Sequence, residues 1–392
     1  MARRVMVRTP AGEVIDDGLA LWFPGPNSFT GEDVAELHLH GSPAVRVRLA
    51  EVLDGLGIEP AGPGAFTMRA FSNGKLDLTQ AEGLGELLEA ETTIQHRQAI
   101  SHLRGALRET AEGWRSDLIR AMALLDAAVD FPDEEDVAEA IVREAAPIVQ
   151  EIGASVRATL DRSGSARRVS AGIRVALLGP ANAGKSTLFN ALVEEERAIV
   201  SAEAGTTRDT VEAAVDFRGH RVTFVDTAGL RDGDVSEVEA EGMRRARRIG
   251  SEADIRLLCW PANGGAWPVW LEGGGAGLDM RVVTKADLGR DGGESDVRVS
   301  AVSGEGLEAL RGRLAEALDG LAEPGLAPTA RQQSCLREAS SWLEGFEQHA
   351  AQGPEAGAEA LRMAARALES LTGRIAPDDV LGDIFGRFCI GK

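Results

Sequence analysis

The segment GPANAGKST, Gly179–Thr187, restricts the fold of this chain more than any other feature of its sequence. It fits the pattern G-x-x-x-x-G-K-[ST], and it lies between the apolar run RVALL and the helix-like run TLFNALV. Glycines in such a turn let backbone N–H groups point at phosphates, Lys185 supplies positive charge, and the Ser186 hydroxyl can ligate Mg²⁺. A glycine-rich turn without a ligand does not fit this strand–turn–helix context. The segment therefore predicts a phosphate-binding loop.

Two motifs downstream predict the switch elements of a GTP-binding domain. In AGTTRD, Ala204–Asp209, we expect Thr207 to give Mg²⁺ its second protein hydroxyl while the outer phosphate is present. DTAGL, Asp226–Leu230, follows the apolar run RVTFV. There Asp226 would reach Mg²⁺ through water, and the Gly229 amide would sense the outermost phosphate.

The base is predicted to be guanine, because guanine presents N1–H and N2–H₂ donors that one carboxylate can accept together. Asp287 in TKAD, Thr284–Asp287, follows the strand-like run RVV and is the expected carboxylate. Ser300-Ala301 follows another strand and would bring a backbone amide to the guanine oxygen. Thr284 stands where GTPases usually have the Asn of NKxD, so we expect fewer hydrogen bonds there and a lower affinity.

Hydrolysis needs an oriented water and compensation for the charge that develops on the phosphates. Many GTPases have glutamine after DxxG, but Leu230 at this position can do neither. Asn182, inside the phosphate loop, could help to hold a monovalent cation. Glu237, Glu239 and Glu241 are candidates for the water by spacing alone, and the alternative for all three is a solvated helix face.

The hydrophobic pattern divides the chain into four segments. Residues 1–78 alternate short apolar runs with turns, with a helix expected near Ala44–Leu56, and indicate a small α+β module. Residues 79–170 have helix periodicity, and residues 171–322 alternate strands with helices, as in a parallel α/β domain. Residues 323–392 are helical again. We expect this tail to pack on the first helical segment, which makes one helical domain interrupted by the α/β domain. The predicted strands of the α/β domain are Val175–Leu178, Val211–Phe217, Arg221–Asp226, Ile255–Cys259, Val282–Thr284 and Val297–Ser300, and its closing helix contains Leu307–Leu318.

Composition excludes several classes of function. Lys+Arg 42 against Asp+Glu 62 gives a net charge of -20 over 392 residues, which argues against a surface that covers nucleic acid or anionic lipid. The 3 cysteines have no CxxC spacing, so neither a disulfide framework nor a zinc site is indicated. No uninterrupted apolar run reaches the length of about 18 residues that a membrane-spanning helix needs. We therefore expect a cytoplasmic protein with no membrane segment.

The sequence closely resembles the MnmE (TrmE) family of tRNA modification GTPases over nearly its whole length. The resemblance rests on LWFPGPNSFTGEDVAELHLHG (Leu21–Gly41), FTMRAFSNGKLDLTQAEGL (Phe66–Leu84), LLDAAVDFPDEED (Leu124–Asp136), AGTTRD, DTAGLR and the terminal FCIGK (Phe388–Lys392). It implies an α/β P-loop GTPase domain, 171–322, inserted in an all-α helical domain, 79–170 with 323–392, and preceded by a tetrahydrofolate-binding and dimerising α+β domain, 1–78.

The resemblance also implies an activity. With a FAD-dependent partner, MnmG (GidA), such proteins add an aminomethyl or carboxymethylaminomethyl group to C5 of the wobble uridine of certain tRNAs. The carbon comes from a folate such as 5-formyl-tetrahydrofolate. GTP hydrolysis drives conformational change as the G domains of a homodimer pair in the presence of Mg²⁺ and K⁺. The MnmG complex would be a heterotetramer, and the acidic balance suggests that most tRNA contact lies with that partner.

Site residues carry over by matching the family motifs. Glu239 matches the glutamate that orients the attacking water. Asn182 matches the asparagine that holds the catalytic cation. The K⁺ site would comprise Asn182, the main-chain oxygens of Ser201 and Glu203, and Thr206, while Mg²⁺ would be held by Ser186 and Thr207. The folate contacts would be Glu36, Lys75 and Lys392. Cys389 matches the cysteine of C-x-G-K, where a reactive and a packed thiol are equally open. The complete predicted GTP site is Asn182, Ala183, Gly184, Lys185, Ser186, Thr187, Ser201, Thr206, Thr207, Asp226, Thr227, Ala228, Gly229, Thr284, Lys285, Asp287, Ser300 and Ala301.

The sequence departs from the family at its start. A usual opening segment, DTIxAxATPxGxGxIxxxRxSG, is absent, and a misassigned start codon and a true truncation both explain this. We therefore expect an incomplete folate site. Two other interpretations remain open: a regulatory GTPase of the ribosome-assembly kind without modification chemistry, and a degenerate interaction protein.

Overall fold

A computed structural model describes residues 2–129, 135–199, 211–227, 248–264, 267, 277–289, 294–322, 325–326, 328–375, 378–386 and 388. Its internal contacts divide the chain into two units, which are described separately. The first comprises Met1–Gly85, Ser101–Arg157 and Ala330–Lys392, and the second comprises Glu86–Ile100 and Ala158–Thr329. The three-domain boundaries given above stay a prediction.

The first unit begins with a three-stranded antiparallel sheet. The strands are β1 (Ala2–Arg8), β2 (Val14–Phe23) and β3 (Val34–His38), in that spatial order. Two helices follow, α1 (Pro43–Gly55), near the predicted position and with a proline in its first turn, and α2 (Ala65–Ser72). Gly74 then takes a left-handed φ of 67° and reverses the chain. Strands and helices in this segment confirm the predicted α+β module.

Helices make up most of the remaining described residues of the first unit. Before the second unit they are α3 (Leu78–Glu89), α4 (Thr93–Leu103), α5 (Ala106–Val129) and α6 (Glu135–Asp161), and α3, α4 and α6 continue into that unit. Helices α7 to α9 belong to the second unit and are given below. In the tail the helices are α10 (Ala330–Glu344), α11 (Phe346–Ala350), α12 (Pro354–Thr372) and α13 (Asp378–Gly386). Buried residues on α5 recur at helix spacing, as Leu107, Ala111, Trp114, Leu118, Ala121 and Leu125. Helix α12 packs against α5 and α10. The predicted helical domain built from both sides of the insertion is therefore confirmed.

A D-x-x-Q sequence begins α3. The backbone N–H of Gln80 donates to Asp77 Oδ1 at 2.9 Å, and the N–H of Asp77 donates to Gln80 Oε1 at 3.1 Å. The two residues thus satisfy each other's free donors, which is the capping-box arrangement.

An ion pair joins the C-terminal tail to α3. Arg331 Nε and Nη2 each donate to one oxygen of Glu82 at 2.8 Å.

The second unit is built on a seven-stranded sheet with the order β10-β9-β8-β4-β7-β6-β5. Five strands, β10, β9, β8, β4 and β7, run parallel, and β6 and β5 add antiparallel edges. The strands are β4 (Ile173–Leu178), β5 (Arg197–Ala198), β6 (Val211–Phe217), β7 (His220–Asp226), β8 (Ile255–Pro261), β9 (Leu278–Thr284) and β10 (Val297–Arg298). The helices with described bounds are α7 (Ser163–Ala171), α8 (Lys185–Val193) and α9 (Leu307–Leu321).

The core of this unit lies between the sheet and helices α8 and α9. It contains apolar residues of the sheet, such as Val175, Leu257 and Val282, and Leu188 and Leu314 of the two helices. Among the described residues, the phosphate loop, Asp226, the TKAD motif and Ser300-Ala301 lie at the carboxyl ends of β4, β7, β9 and β10, where ligands bind in open α/β sheets. Among the described residues, no helix is both long and apolar enough to cross a membrane.

Candidate nucleotide-binding site

The phosphate loop leaves β4 in a conformation that only small residues permit. A Cβ on Gly179, whose φ is 155°, would lie 2.3 Å from the Cys259 carbonyl oxygen of β8. Gly184 caps α8 with a left-handed φ of 86°, and Asn182 adopts a φ of 64°, which asparagine tolerates. The loop backbone therefore turns sharply against the sheet, as a phosphate cradle requires.

Lys185 places a buried positive charge over this loop. Its side chain is about 4% exposed, and Nζ donates to the carbonyl oxygens of Gly179 at 3.0 Å and Pro180 at 2.8 Å. Burial lowers the pKa of this ammonium, and the nearby Cys259 and Asp226 act in the opposite direction. Neutral carbonyls do not neutralise the charge, so an anionic phosphate fits this position.

Oxygen donors suited to Mg²⁺ lie beside the lysine. Asp226 ends β7 and is about 3% exposed, and it pairs in register with Leu177 of β4. The Thr227 hydroxyl donates to the Leu177 carbonyl oxygen at 2.8 Å and so ties the chain after β7 to β4. Ser186 and Thr187 are exposed in the first turn of α8. A serine hydroxyl with a buried carboxylate is a donor set that Mg²⁺ prefers.

A cleft of about 170 Å³ adjoins the loop on the side of β9 and β10. Gly184, Lys285, Asp287 and Ala301 line it. The Lys285 side chain lies over Gly184, since a Cβ there would be 3.6 Å from Lys285 Cε. Asp287 is exposed and its carboxylate is open to a ligand. The cleft brings together the residues predicted to recognise guanine.

Thr284 ties this cleft to the phosphate loop. Its hydroxyl donates a hydrogen bond to the Ala183 carbonyl oxygen, and both residues are buried. The expectation of fewer bonds for threonine than for asparagine concerned both the base and the loop. The structure shows that threonine keeps a bond to the loop.

Ser300 and Ala301 have different parts in the loop after β10. The Ser300 N–H donates to the Glu305 carbonyl oxygen at 2.9 Å, and its hydroxyl accepts from the Ser303 N–H at 3.2 Å. Ser300 is fully buried and so shapes the loop. Within the described part of the chain the Ala301 N–H has no hydrogen-bond partner, so it is the amide available to a base oxygen.

Sequence reasoning missed two apolar residues at the rim of this cleft. Leu288 and Val302 line it and are 61% and 85% exposed. Each directly follows a motif, TKAD and Ser300-Ala301, and this position was the available signal. Large apolar side chains so exposed are expected to gain contacts when a flat ligand fills the cleft.

Several predicted site residues lie outside the described residues: Ser201, Glu203, Thr206, Thr207, Ala228, Gly229, Glu239, Cys389 and Lys392. Of the predicted K⁺ ligands, Asn182 is described, and it is exposed in the phosphate loop. The structure thus brings together the phosphate loop, Asp226 and the base cleft.

The predicted folate contacts are described only in part. Glu36 is exposed on β3, and its Oε2 lies 2.9 Å from His38 Nε2. Lys75 is exposed in the turn after α2, and its side chain packs over Gly31, where a Cβ would be 3.4 Å from Lys75 Cγ. Their assignment as folate contacts stays a prediction.

A parallel α/β unit with this phosphate loop and a carboxylate-lined base cleft defines a P-loop GTPase. Residues 78–389 match the family described as MnmE helical domain, and residues 1–75 match the N-terminus of the GTP-binding protein TrmE. The chain belongs to the MnmE family of tRNA modification GTPases.

Curated MnmE proteins align with this sequence over its whole length. The tRNA modification GTPase MnmE of Paramagnetospirillum magneticum is 45% identical over 406 residues, which cover 100% of this chain and 90% of that protein. MnmE of Rhodopseudomonas palustris strain BisB5 is 42% identical over 422 residues, with 100% and 90% covered. Among solved structures, the G domain of the T. maritima FeoB iron transporter is 23% identical with a TM-score of 0.27, over 37% of this chain and 98% of that one. Aquifex aeolicus Era bound to GDP.AlF4- is 23% identical with a TM-score of 0.29, over 43% and 66%.

Proposed function

We propose that this protein is a K⁺-stimulated GTP hydrolase that acts with the FAD-dependent protein MnmG in tRNA modification. The reaction is addition of a carboxymethylaminomethyl or aminomethyl group at C5 of the wobble uridine of certain tRNAs. One observation carries the GTP part: Lys185 is buried at the phosphate loop, next to a cleft that presents Asp287 and the Ala301 amide. Membership of the MnmE family supports the tRNA part.

The described residues suit each part of GTP. The Lys185 ammonium binds the outer phosphates together with the N–H groups of the loop. The Asp287 carboxylate accepts the N1–H and N2–H₂ of guanine, and the Ala301 N–H donates to the guanine oxygen. Ser186 and Thr207, of which Thr207 lies outside the described residues, would hold Mg²⁺, and Asp226 would reach it through water. The ion would supply positive charge to the phosphates.

Hydrolysis is assigned to residues that match the family motifs, and of these the structure describes Asn182. Glu239 accepts a hydrogen bond from the attacking water and orients it. Asn182, Thr206 and the main-chain oxygens of Ser201 and Glu203 would hold K⁺, which would offset negative charge that develops on the phosphates. An asparagine side chain in the loop suits this role, because amide oxygens are good ligands of hard cations.

Partners and compartment follow the family assignment. A homodimer would pair its G domains during the cycle and combine with MnmG in a heterotetramer. The one-carbon unit would come from a folate bound near Glu36, Lys75 and Lys392. With a net charge of -20, the chain would leave most tRNA contact to MnmG. We place this activity in the cytoplasm.

Asp287→Asn tests base recognition. Asparagine offers one acceptor and one donor, so it opposes the two donors of guanine but matches xanthine, which carries an oxygen at that position. GDP affinity should fall about 100-fold or more, and XDP affinity should rise. Titration calorimetry measures both, with Glu294→Gln as a matched exposed carboxylate in the same unit. An unchanged preference for GDP would remove Asp287 from the base site.

Asn182→Gly tests the cation role, because glycine keeps the φ of 64° and removes only the side-chain amide. Wild-type GTP turnover should be faster in KCl than in NaCl at equal ionic strength. The variant should lose that difference while it still binds GDP. If turnover of the wild-type protein is the same in both salts, the cation mechanism fails.

A further inference from the structure

A helical segment far upstream of the phosphate loop holds the β6–β7 hairpin at its turn. The segment, Glu91–Gln98, precedes β4 by more than 70 residues, yet it belongs to the second unit. The hairpin is important for the site, because β6 begins one residue beyond the predicted switch motif AGTTRD and β7 ends at Asp226. Whatever fixes the hairpin turn can therefore affect the residues that meet Mg²⁺ and phosphate.

Three contacts join the segment to the hairpin. Arg221 Nη1 lies 2.9 Å from Glu91 Oε2, with both side chains about one-third exposed. The Ile94 N–H donates to the Gly219 carbonyl oxygen at 3.4 Å. Gly219 has a φ of 92°, and a Cβ there would lie 2.8 Å from Thr93 Oγ1. Segment and turn are thus in close contact.

The segment is itself held by five hydrogen bonds. Glu91 and Thr92 N–H both donate to Gln95 Oε1, at 3.0 and 3.1 Å, and the Gln95 N–H donates back to Thr92 Oγ1 at 3.4 Å, so a capping box fixes the start of α4. Nε2 of Gln95 and Nε2 of Gln98 then donate to the carbonyl and hydroxyl oxygens of Ser170 on α7, each at 3.0 Å. Glu91 is therefore presented from a fixed position.

Arg221 connects that position to the nucleotide site. Gly172, directly before β4, packs on it: a Cβ there would be 3.1 Å from both Arg221 Cγ and its carbonyl oxygen. From this point β4 and β7 run in parallel register, from Ile173 with Val222 to Leu177 with Asp226. A shift of Arg221 can therefore be transmitted along the paired strands to Asp226, over a length of about 17 Å.

We propose that Glu91 is a positioning residue for GTP hydrolysis, acting through Arg221 on the β4–β7 strand pair. This rests on the GTPase activity proposed above. Arg221 Nη1 is paired with Glu91, whereas Arg221 Nε is buried and has no hydrogen-bond partner within the described residues. A buried N–H without a partner is unfavourable, so this pair can move to a better arrangement when the hairpin shifts. Glu91 thus acts on Asp226 without touching nucleotide.

Glu91→Gln in the full chain tests the proposal by steady-state GTP turnover. The amide keeps the shape and removes the charge that holds Arg221. We expect kcat to fall about two- to fivefold, the range that loss of a partly exposed ion pair permits, with KM unchanged. Arg313→Gln, which removes an exposed pair with Asp296 elsewhere in this unit, is the matched control. An unchanged kcat in Glu91→Gln overturns the proposal, and so does an equal loss in the control.

A double-mutant cycle and hydrogen exchange separate positioning from simple stability. Glu91→Gln combined with Arg221→Gln should lower kcat no further than the larger single effect, whereas additive losses would overturn the coupling. Amide exchange at residues 92–98 should differ between GDP and a non-hydrolysable GTP analogue in the wild-type chain and lose that difference in Glu91→Gln. Identical exchange in both nucleotides, with an active wild-type enzyme, overturns this inference alone. A wild-type chain without GTPase activity instead overturns the proposed function.

Discussion

Thr284→Val removes one hydrogen bond from the nucleotide site and leaves its shape intact. Valine matches threonine in size, but it cannot donate to the Ala183 carbonyl oxygen in the phosphate loop. Thr284 is about 3% exposed and Ala183 is fully buried, so water does not replace the lost donor without a shift of the loop. The change therefore tests whether the base strand maintains the loop.

The expected magnitude follows from the cost of a buried carbonyl without its donor, about 1–3 kcal/mol. If the loop keeps its shape, this cost appears as a lower free energy of unfolding. If the loop relaxes, nucleotide must restore its shape, and the cost appears as weaker binding. The two losses should add to about 1–3 kcal/mol, which equals at most a loss of about 100-fold in GDP affinity if all of it falls on binding.

Urea unfolding of the nucleotide-free protein and GDP titration calorimetry measure the two parts. Thr110→Val is the control, because its hydroxyl donates to Ala106 within the same helix at 2.9 Å and lies in the first unit. That variant should leave GDP affinity unchanged. If Thr284→Val changes neither stability nor affinity, the threonine does not maintain the loop and the tie between base strand and phosphate loop is refuted.

Three further changes test other parts of the structure. Arg331→Met leaves the largely buried Glu82 carboxylate without its bidentate partner and should lower the free energy of unfolding by about 3 kcal/mol in urea titrations. Gly179→Ala places a Cβ where 2.3 Å separates it from a backbone oxygen, so it should weaken GDP binding and cost about 1–3 kcal/mol, while Gly113→Ala, with open space around it, should not destabilise. Burial raises the pKa of the Cys259 thiol from 9.0 to about 12, so iodoacetamide at pH 8 should label it only after unfolding, as mass spectrometry can show. Its contribution to stability should be present below pH 9 and be lost as the pH rises from there through about 12.

Local patterns predicted the α/β unit well. The run Val211–Phe217 was predicted as a strand, and β6 ends at Phe217 as predicted, because a turn at Arg218 and Gly219 follows and its partner β7 begins at once. Strand ends are set by short-range chemistry, and so the phosphate loop and the base motif could be placed on the correct edge of the sheet from sequence.

Long-range contacts could not be predicted in the same way. Nothing near Glu91 in the sequence indicates Arg221, since their contact depends on how a helix start meets a hairpin turn. Pro147 lies within α6, although proline removes a helix hydrogen bond, because Ala145, Val149, Ile152 and Val156 bury a continuous stripe that outweighs the loss. In each case tertiary packing decides the outcome.

Strand β4 and the strands beside it position the residues of the nucleotide site. The phosphate loop follows β4, and Asp226 is the last residue of the neighbouring strand β7. On the other side of β4, Thr284 is the last residue of β9, the second strand away, and its hydroxyl donates to the loop. Lys185 already donates to the loop carbonyls, so phosphate oxygens must replace bonds that exist and not merely fill space. Binding energy is then a difference between two satisfied states, and small shifts of these strands can alter it. This makes contacts at the distant ends of β4 and β7 relevant to chemistry at their carboxyl ends.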